Sequence, residues 1–254
     1  MAHNLALVRV GWLVLGMIGT GCAGNADADD ASDDSSSALV GASGKTYEHP
    51  EIGAVFTAGL CTGTLITPNV VLTAAHCIAG SANEDIHTLG YHFAVWSSDQ
   101  KRHDYAVDLQ HAILSGSDFA AGGNAWRAQD ILLLHLADSV PSEIARPATL
   151  ATSWPAVGDS IAIYGFGCTD VATHTGTGTK RKIELSWSAA ASPGNPQTKN
   201  LCPGDSGGPL LAVGRNAVLG TNSGHSTAGD LFGDIPKNRL KIEAVLARWP
   251  AATR

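Results

Sequence analysis

The sequence predicts an all-β fold closed by one C-terminal helix, and three features lead there. Short apolar runs recur along the chain, each bounded by Gly, Pro, Asn or similar turn residues, a rhythm typical of sandwiches and barrels. The composition is 44% hydrophobic and only 15% charged, with 29 glycines to serve turns. Only one stretch, near the C-terminus, carries apolar residues at helical spacing. The 254 residues suffice for one large β domain or two small ones with a sizeable core. A formal net charge of −7 argues against nucleic acid as a partner, since that would call for a basic face.

Residues 1–22 read as an export signal. Arg9 supplies positive charge, and Val10 to Ile18 form an apolar core too short to span a bilayer as a permanent helix. The ending Gly19-Thr20-Gly21-Cys22 is similar to a bacterial lipoprotein cleavage site, with Gly19 where Leu is usual. Ordinary cleavage is expected, giving a secreted, extracellular protein; acylation at Cys22, giving a cell-surface lipoprotein, is the alternative and the only membrane contact foreseen. Residues 23–38 form an acidic leader or propeptide containing Asp27, Asp29, Asp30, Asp33 and Asp34. With no large apolar residue between Asn25 and Ser37, most of it cannot bury enough surface to fold. The folded domain is expected over residues 39–254.

Within that domain, strands are expected at Ile52–Phe56, Thr62–Ile66, Val70–Thr73, Phe93–Trp96, Ile131–Leu136, Ser160–Tyr164, Ile183–Trp187, Leu210–Val213 and Ala217–Gly220. The helix is expected after Asn238, with Leu240, Ile242, Val245, Leu246 and Trp249 as its apolar stripe. Five cysteines include Cys22 in the signal. The remaining four (Cys61, Cys77, Cys168 and Cys202) imply two disulfides in an exported chain, with three pairings open.

Chemistry concentrates at Leu201-Cys202-Pro203-Gly204-Asp205-Ser206-Gly207-Gly208-Pro209. A serine hydroxyl is a poor nucleophile unless a base takes its proton. Candidate partners lie upstream: His76 in Leu72-Thr73-Ala74-Ala75-His76-Cys77, and Asp130 ahead of Ile131-Leu132-Leu133-Leu134. A carboxylate before four large aliphatics must be paired or solvated, and an imidazole N–H is a fitting partner. Asp104 and Asp108 are further upstream acids, but neither precedes such a strand. The N–H groups of Gly204 and Ser206 could together hold a developing oxyanion. No His-Glu-x-x-His or Cys-x-x-Cys spacing occurs, so neither metal nor other cofactor is expected. His135 reads as structural, and Thr175-Gly176-Thr177-Gly178-Thr179 as a flexible loop.

The three signatures, in the order His, Asp, Ser, resemble the chymotrypsin/trypsin family of serine endopeptidases, in a bacterial-type secreted form. The resemblance runs from about Leu39 to the C-terminus. It implies two packed six-stranded antiparallel β-barrels with a C-terminal helix. It also implies peptide-bond hydrolysis by His76, Asp130 and Ser206 through a covalent acyl-enzyme, with Gly204 and Ser206 as the oxyanion hole. A monomer acting on protein or peptide substrates is expected. The resemblance pairs Cys61 with Cys77, and with that Cys168 with Cys202, positions for which trypsins use other partners. Leu39-Val40-Gly41-Ala42 resembles the family's processed start, whose α-amino group would pair with Asp205. Ala38 stands where trypsin-like activation needs Arg or Lys. Asn200, six residues before Ser206, matches the floor of the primary specificity pocket, with Ser223 and His225 on its wall. An amide there predicts poor cleavage after Arg or Lys and a preference for uncharged residues. Two other readings are a catalytically silent homologue serving as an extracellular binding module, and a narrow-specificity processing enzyme.

Overall fold

The computed structural model describes residues 39, 44–57, 59–78, 90–113, 125–170, 172–187, 200–226 and 229–249. The segments expected as export signal and acidic leader, Cys22 among them, fall outside the described residues. Six strands make the first layer: β1 (Ile52–Phe56), β2 (Leu60–Thr67), β3 (Val70–Thr73), β4 (His92–Trp96), β5 (Arg102–Ala112) and β6 (Leu132–Leu136). They close into a barrel in the order β1-β2-β3-β6-β5-β4. Closure comes from β1 pairing with β4, where Val55 sits opposite Phe93. Val55, Leu65, Val71, Phe93, Leu132, Leu134 and Leu136 fill the interior.

The continuous apolar run at Ile131 to Leu134 follows from burial on both faces of β6. Leu132 and Leu134 point into the barrel. Ile131 and Leu133 join Ile52, Leu72, Ile242 and Val245 in a second cluster outside it. A strand covered on one face only would alternate apolar with polar residues.

The second layer holds β7 (Thr149–Leu150), β8 (Ser160–Gly165), β9 (Arg181–Ser186), β10 (Pro209–Ala212), β11 (Ala217–Ser226) and β12 (Gly229–Asp234). Its order is β12-β11-β10-β8-β9, with β7 added in parallel to β11. The architecture is thus all-β, with one closed six-stranded barrel, a second six-stranded sheet and one C-terminal helix; among the described residues the second sheet is an open path. Strands β5, β7 and β12 were not expected from sequence. β5 runs through Arg102, His103, Asp104, Asp108 and His111 with a half-exposed face, so it lacks an apolar signature.

The helix α1 spans Ile235–Leu246, starting before the expected point because Asp234 caps it, its side chain accepting from the Lys237 N–H at 3.0 Å. Pro236 fits the first turn, where no N–H is needed. The stripe also differs. Ile235, Asn238, Ile242 and Val245 are buried, whereas Leu240 is 74% exposed. Spacings of three and four residues put those four on one face, and residue 240 lies off it. Buried Asn238 is satisfied by the Asp234 and Ala128 carbonyls at 2.8 and 2.9 Å, which ties the helix to the chain just ahead of Asp130.

Both disulfides form as the resemblance implied, Cys61–Cys77 and Cys168–Cys202. Close packing inside the barrel leaves no room at Gly63 on β2. A Cβ there would lie 2.6 Å from Val71 Cγ1 and 2.7 Å from Val55 Cγ2. Gly63→Ala is therefore expected to destabilise the domain by about 1–3 kcal/mol, read as a lower denaturation midpoint with an unchanged slope. An unchanged midpoint would show that the barrel yields at this point.

Candidate active site

His76 sits on a single 3₁₀ turn, Ala75–Cys77, directly after β3. The bond from Cys77 to Cys61 on β2 anchors that turn to the barrel. Asp130 enters from the start of the β6 segment and is fully buried. Its Oδ1 accepts from the His76 backbone N–H at 3.0 Å, and its Oδ2 lies 2.6 Å from His76 Nδ1. The Ser223 hydroxyl also donates to Oδ2. A carboxylate can only accept, so the proton on the imidazole is placed at Nδ1 and Nε2 is left as an acceptor. His76 Nε2 lies 2.8 Å from Ser206 Oγ. The structure therefore joins the three residues expected from sequence in one hydrogen-bonded line.

Ser206 is held across the two layers by Thr62 on β2. The Thr62 N–H donates to the Ser206 carbonyl at 2.8 Å, and its hydroxyl donates to the Gly204 carbonyl at 2.8 Å while accepting from the Phe166 N–H at 3.0 Å. Gly204 has φ +103°, the region that favours glycine. A Cβ at 204 would also lie 2.9 Å from Gly167 Cα. Among the described residues, neither the Gly204 nor the Ser206 N–H donates to another group. Both stay available at the nucleophile turn.

Asp205 points away from Ser206 into the second layer. Its oxygens accept from the Gly167 N–H at 2.7 Å and the Cys202 N–H at 2.9 Å. Burial pushes this carboxyl up to about 7, with those two bonds opposing the shift. Leu39, its expected partner, packs its side chain among Ile161, Ile163 and Trp187. Among the described residues no hydrogen bond joins it to Asp205.

The expected pocket residues sit as follows. Asn200 is buried, and its N–H and Nδ2 both donate to Asp230, Nδ2 at 2.8 Å. The Leu201 N–H reaches the same carboxylate at 3.3 Å. Burial raises the Asp230 pKa above the usual carboxylate range. Ser223, expected as a wall residue, donates its hydroxyl to Asp130. His225 is exposed on β11, opposite Asp230 on β12. Sequence reasoning missed Asp230, although an acid directly ahead of Leu231 and Phe232 marks a buried polar group. It also missed Trp126 and Arg127. The Trp126 ring meets the His76 ring edge to face at 6.5 Å, and the Arg127 guanidinium lies 4.5 Å over Trp126. Arg127 Nη1 donates to the Ser223 carbonyl. Burial lowers the guanidinium pKa and the Asp130 charge opposes that shift. Among the described residues no group of three or more His, Cys, Asp or Glu side chains is placed to hold a metal ion.

Comparison with known proteins gives the following. The family model described as Trypsin matches residues 39–232. Snake venom serine protease 1 of Craspedocephalus gramineus is 30% identical over 191 residues, covering 66% of this chain and 69% of that protein. Inactive snake venom serine proteinase 13 of Crotalus adamanteus is 31% identical over 191 residues, with the same coverage of 66% and 69%. Among solved structures, neuropsin, a serine protease expressed in the limbic system of mouse brain, superposes with a TM-score of 0.59 at 22% identity, covering 79% of this chain and 96% of its own; that identity speaks for the fold alone. These relatives come from snakes and a mammal and give no support to the bacterial-type qualifier. No helix among the described residues is long and apolar enough to cross a membrane.

The raised Asp205 pKa has a consequence for stability. Its folded value lies above the 3.8 of a free carboxyl. The folded chain therefore holds a proton that the unfolded chain has lost, and stability falls as pH rises between those two values. Asp205 is therefore expected to lower the melting temperature from about pH 4 to about pH 7, contributing a loss of up to roughly 1.4 kcal/mol of stability for each step of one in pH. Asp205→Asn should flatten that decline. An unchanged decline in the variant would place the titration elsewhere.

Proposed function

Because the chain belongs to the trypsin family of serine proteases, we propose that it is an active endopeptidase that cleaves peptide bonds through an acyl-enzyme on Ser206. The observation that carries this reading is the hydrogen-bonded line from Asp130 through His76 to Ser206, at 2.6 and 2.8 Å. His76 takes the Ser206 proton as Oγ attacks the substrate carbonyl carbon, and then gives it to the leaving amine. Asp130 orients the ring and stabilises its cation. The N–H groups of Gly204 and Ser206 donate to the oxyanion of the tetrahedral intermediate, a stabilisation that is usually the largest single contribution. Water then replaces the amine; its oxygen attacks the acyl carbon as His76 takes its proton, and His76 returns that proton to Ser206 Oγ as the C–Oγ bond breaks and the acyl group leaves as a carboxylic acid. No step needs a cofactor.

Maturation belongs to the same reading. Cutting after Ala38 creates an α-amino group on Leu39, whose charge would pair with Asp205 and hold that carboxyl ionised. Residues 1–22 direct export and residues 23–38 are lost on activation. For specificity, the carboxylate beside Asn200 is already engaged by three N–H groups. Asn200 itself offers an incoming Arg or Lys hydrogen bonds but no charge, and burial of the neighbouring Asp230 works against its ionised form, so cleavage follows uncharged residues.

The rival reading, a silent homologue used for binding, has a counterpart in the relative named inactive. Labelling with a fluorophosphonate separates the two. Modification of Ser206 is expected, with the labelled fraction beginning at Leu39. Turnover should drop on the order of a millionfold in Ser206→Ala. Absence of labelling, or label on protein that still carries the aspartate run, would overturn the respective part. Matched peptides differing only in the residue before the scissile bond are expected to give higher kcat/KM for Leu, Phe, Ala or Gln than for Arg. A strong preference for Arg would refute the pocket assignment.

A further inference from the structure

Arg127 occupies an unusual place for a cation. It lies on the 3₁₀ segment Ala125–Gln129, directly ahead of Asp130, so the segment that positions His76 also positions this guanidinium. Its plane rests on Trp126, and Trp126 in turn meets His76. Nη1 donates to the Ser223 carbonyl and lies 3.3 Å from the Ser223 hydroxyl, the group that donates to Asp130. The neighbouring Gly224 makes the seat: a Cβ there would come 2.7 Å from Nη1 and 3.2 Å from the guanidinium carbon.

The backbone around that seat is a strand edge. On one side of β11, among the described residues, the chain around the nucleophile pairs with Thr221 and Asn222 and then stops: Pro209 faces Thr221, and Gly207 and Gly208 bond Asn222. On the other side, β12 continues along Gly224 and His225. Beyond Asn222, the first side is met by the Arg127 guanidinium. An extended peptide that reaches Ser206 by adding to this edge runs beside Arg127, and it must displace Nη1 from the Ser223 carbonyl to use that acceptor. A carboxylate on the peptide offers the displaced guanidinium a charge-assisted, two-pronged partner. An amide offers less, and an ammonium repels it.

We propose that Arg127 is a specificity-determining residue that selects peptides carrying an acidic side chain at the second or third residue on the amino side of the scissile bond. This rests on the peptidase reading above and adds a charge preference at a position other than the one before the cut. The test uses the processed protein and peptidyl phosphonates that differ only in carrying Glu, Gln or Lys at each of those positions. At one position, the Glu probe is expected to label Ser206 about tenfold faster than the Gln probe, with Lys slowest. The Glu-to-Gln ratio should fall towards one in Arg127→Gln, persist in part in Arg127→Lys, and shrink with added salt. Fluorescence anisotropy with the same peptides lacking the phosphonate reads the same ratio whether or not Ser206 reacts. A parent ratio near one at both positions, or a ratio unchanged in Arg127→Gln, overturns the proposal. Failure of a plain fluorophosphonate to label the parent overturns the peptidase reading instead.

Discussion

Everything at the centre of this molecule depends on satisfying one buried carboxylate. Asp130 has no exposure to solvent, so leaving it unpaired would cost several kcal/mol. Its partners come from both layers. The first barrel sends the His76 backbone and ring, and the second sheet sends the Ser223 hydroxyl. The Asp130 carbonyl takes the Thr221 hydroxyl as well, at 3.0 Å. The apolar run after Asp130, buried on both faces of β6, fixes the carboxylate at the junction. Site geometry and docking of the two layers are thus one problem with one solution.

A second carboxylate shapes the surrounding loops. Side chains at residues 165 and 167 would collide with the Asp205 carboxyl, so the glycines of Tyr164-Gly165-Phe166-Gly167 reflect close approach to that group. The Cys168–Cys202 bond then joins the two loops that enclose it. Among the described residues the hydrogen-bond donors to this carboxyl are the Gly167 and Cys202 N–H groups, and burial works against its charge while Arg181 favours it. Asp130 and Asp205 differ in that respect: one has an imidazole beside it, and the other has room in its electrostatics for a cation.

How much could be read from the sequence divides along physical lines. Strands with a dry face, such as β1, β3 and β8, were legible from their apolar runs. So were His76, Asp130 and Ser206, because small neighbours, a cysteine and a glycine turn surround them. β5 escaped because its half-exposed face carries charged residues. The helix start was misplaced because the cap, Asp234, lies at the end of a strand that was itself unseen. Leu240 shows that apolar character alone does not assign a helical face. The bond from Ser223 to Asp130, and Asp230 itself, were missed for another reason. Ser223 and Asp230 each act through a partner distant in sequence, Asp130 and Asn200 respectively, and only the fold brings the pairs together. Arg127 belongs with them, since its position depends on an absent side chain at Gly224.

Thr62 carries a further consequence, one of mechanics. From a single strand of the barrel it holds the Ser206 carbonyl, the Gly204 carbonyl and the Phe166 N–H. A hinge movement that opened the cleft by rotating barrel against sheet would have to stretch these three bonds first, and with them the spacing between His76 and Ser206. The molecule therefore has no low-energy way to breathe as two rigid halves while keeping its chemistry aligned.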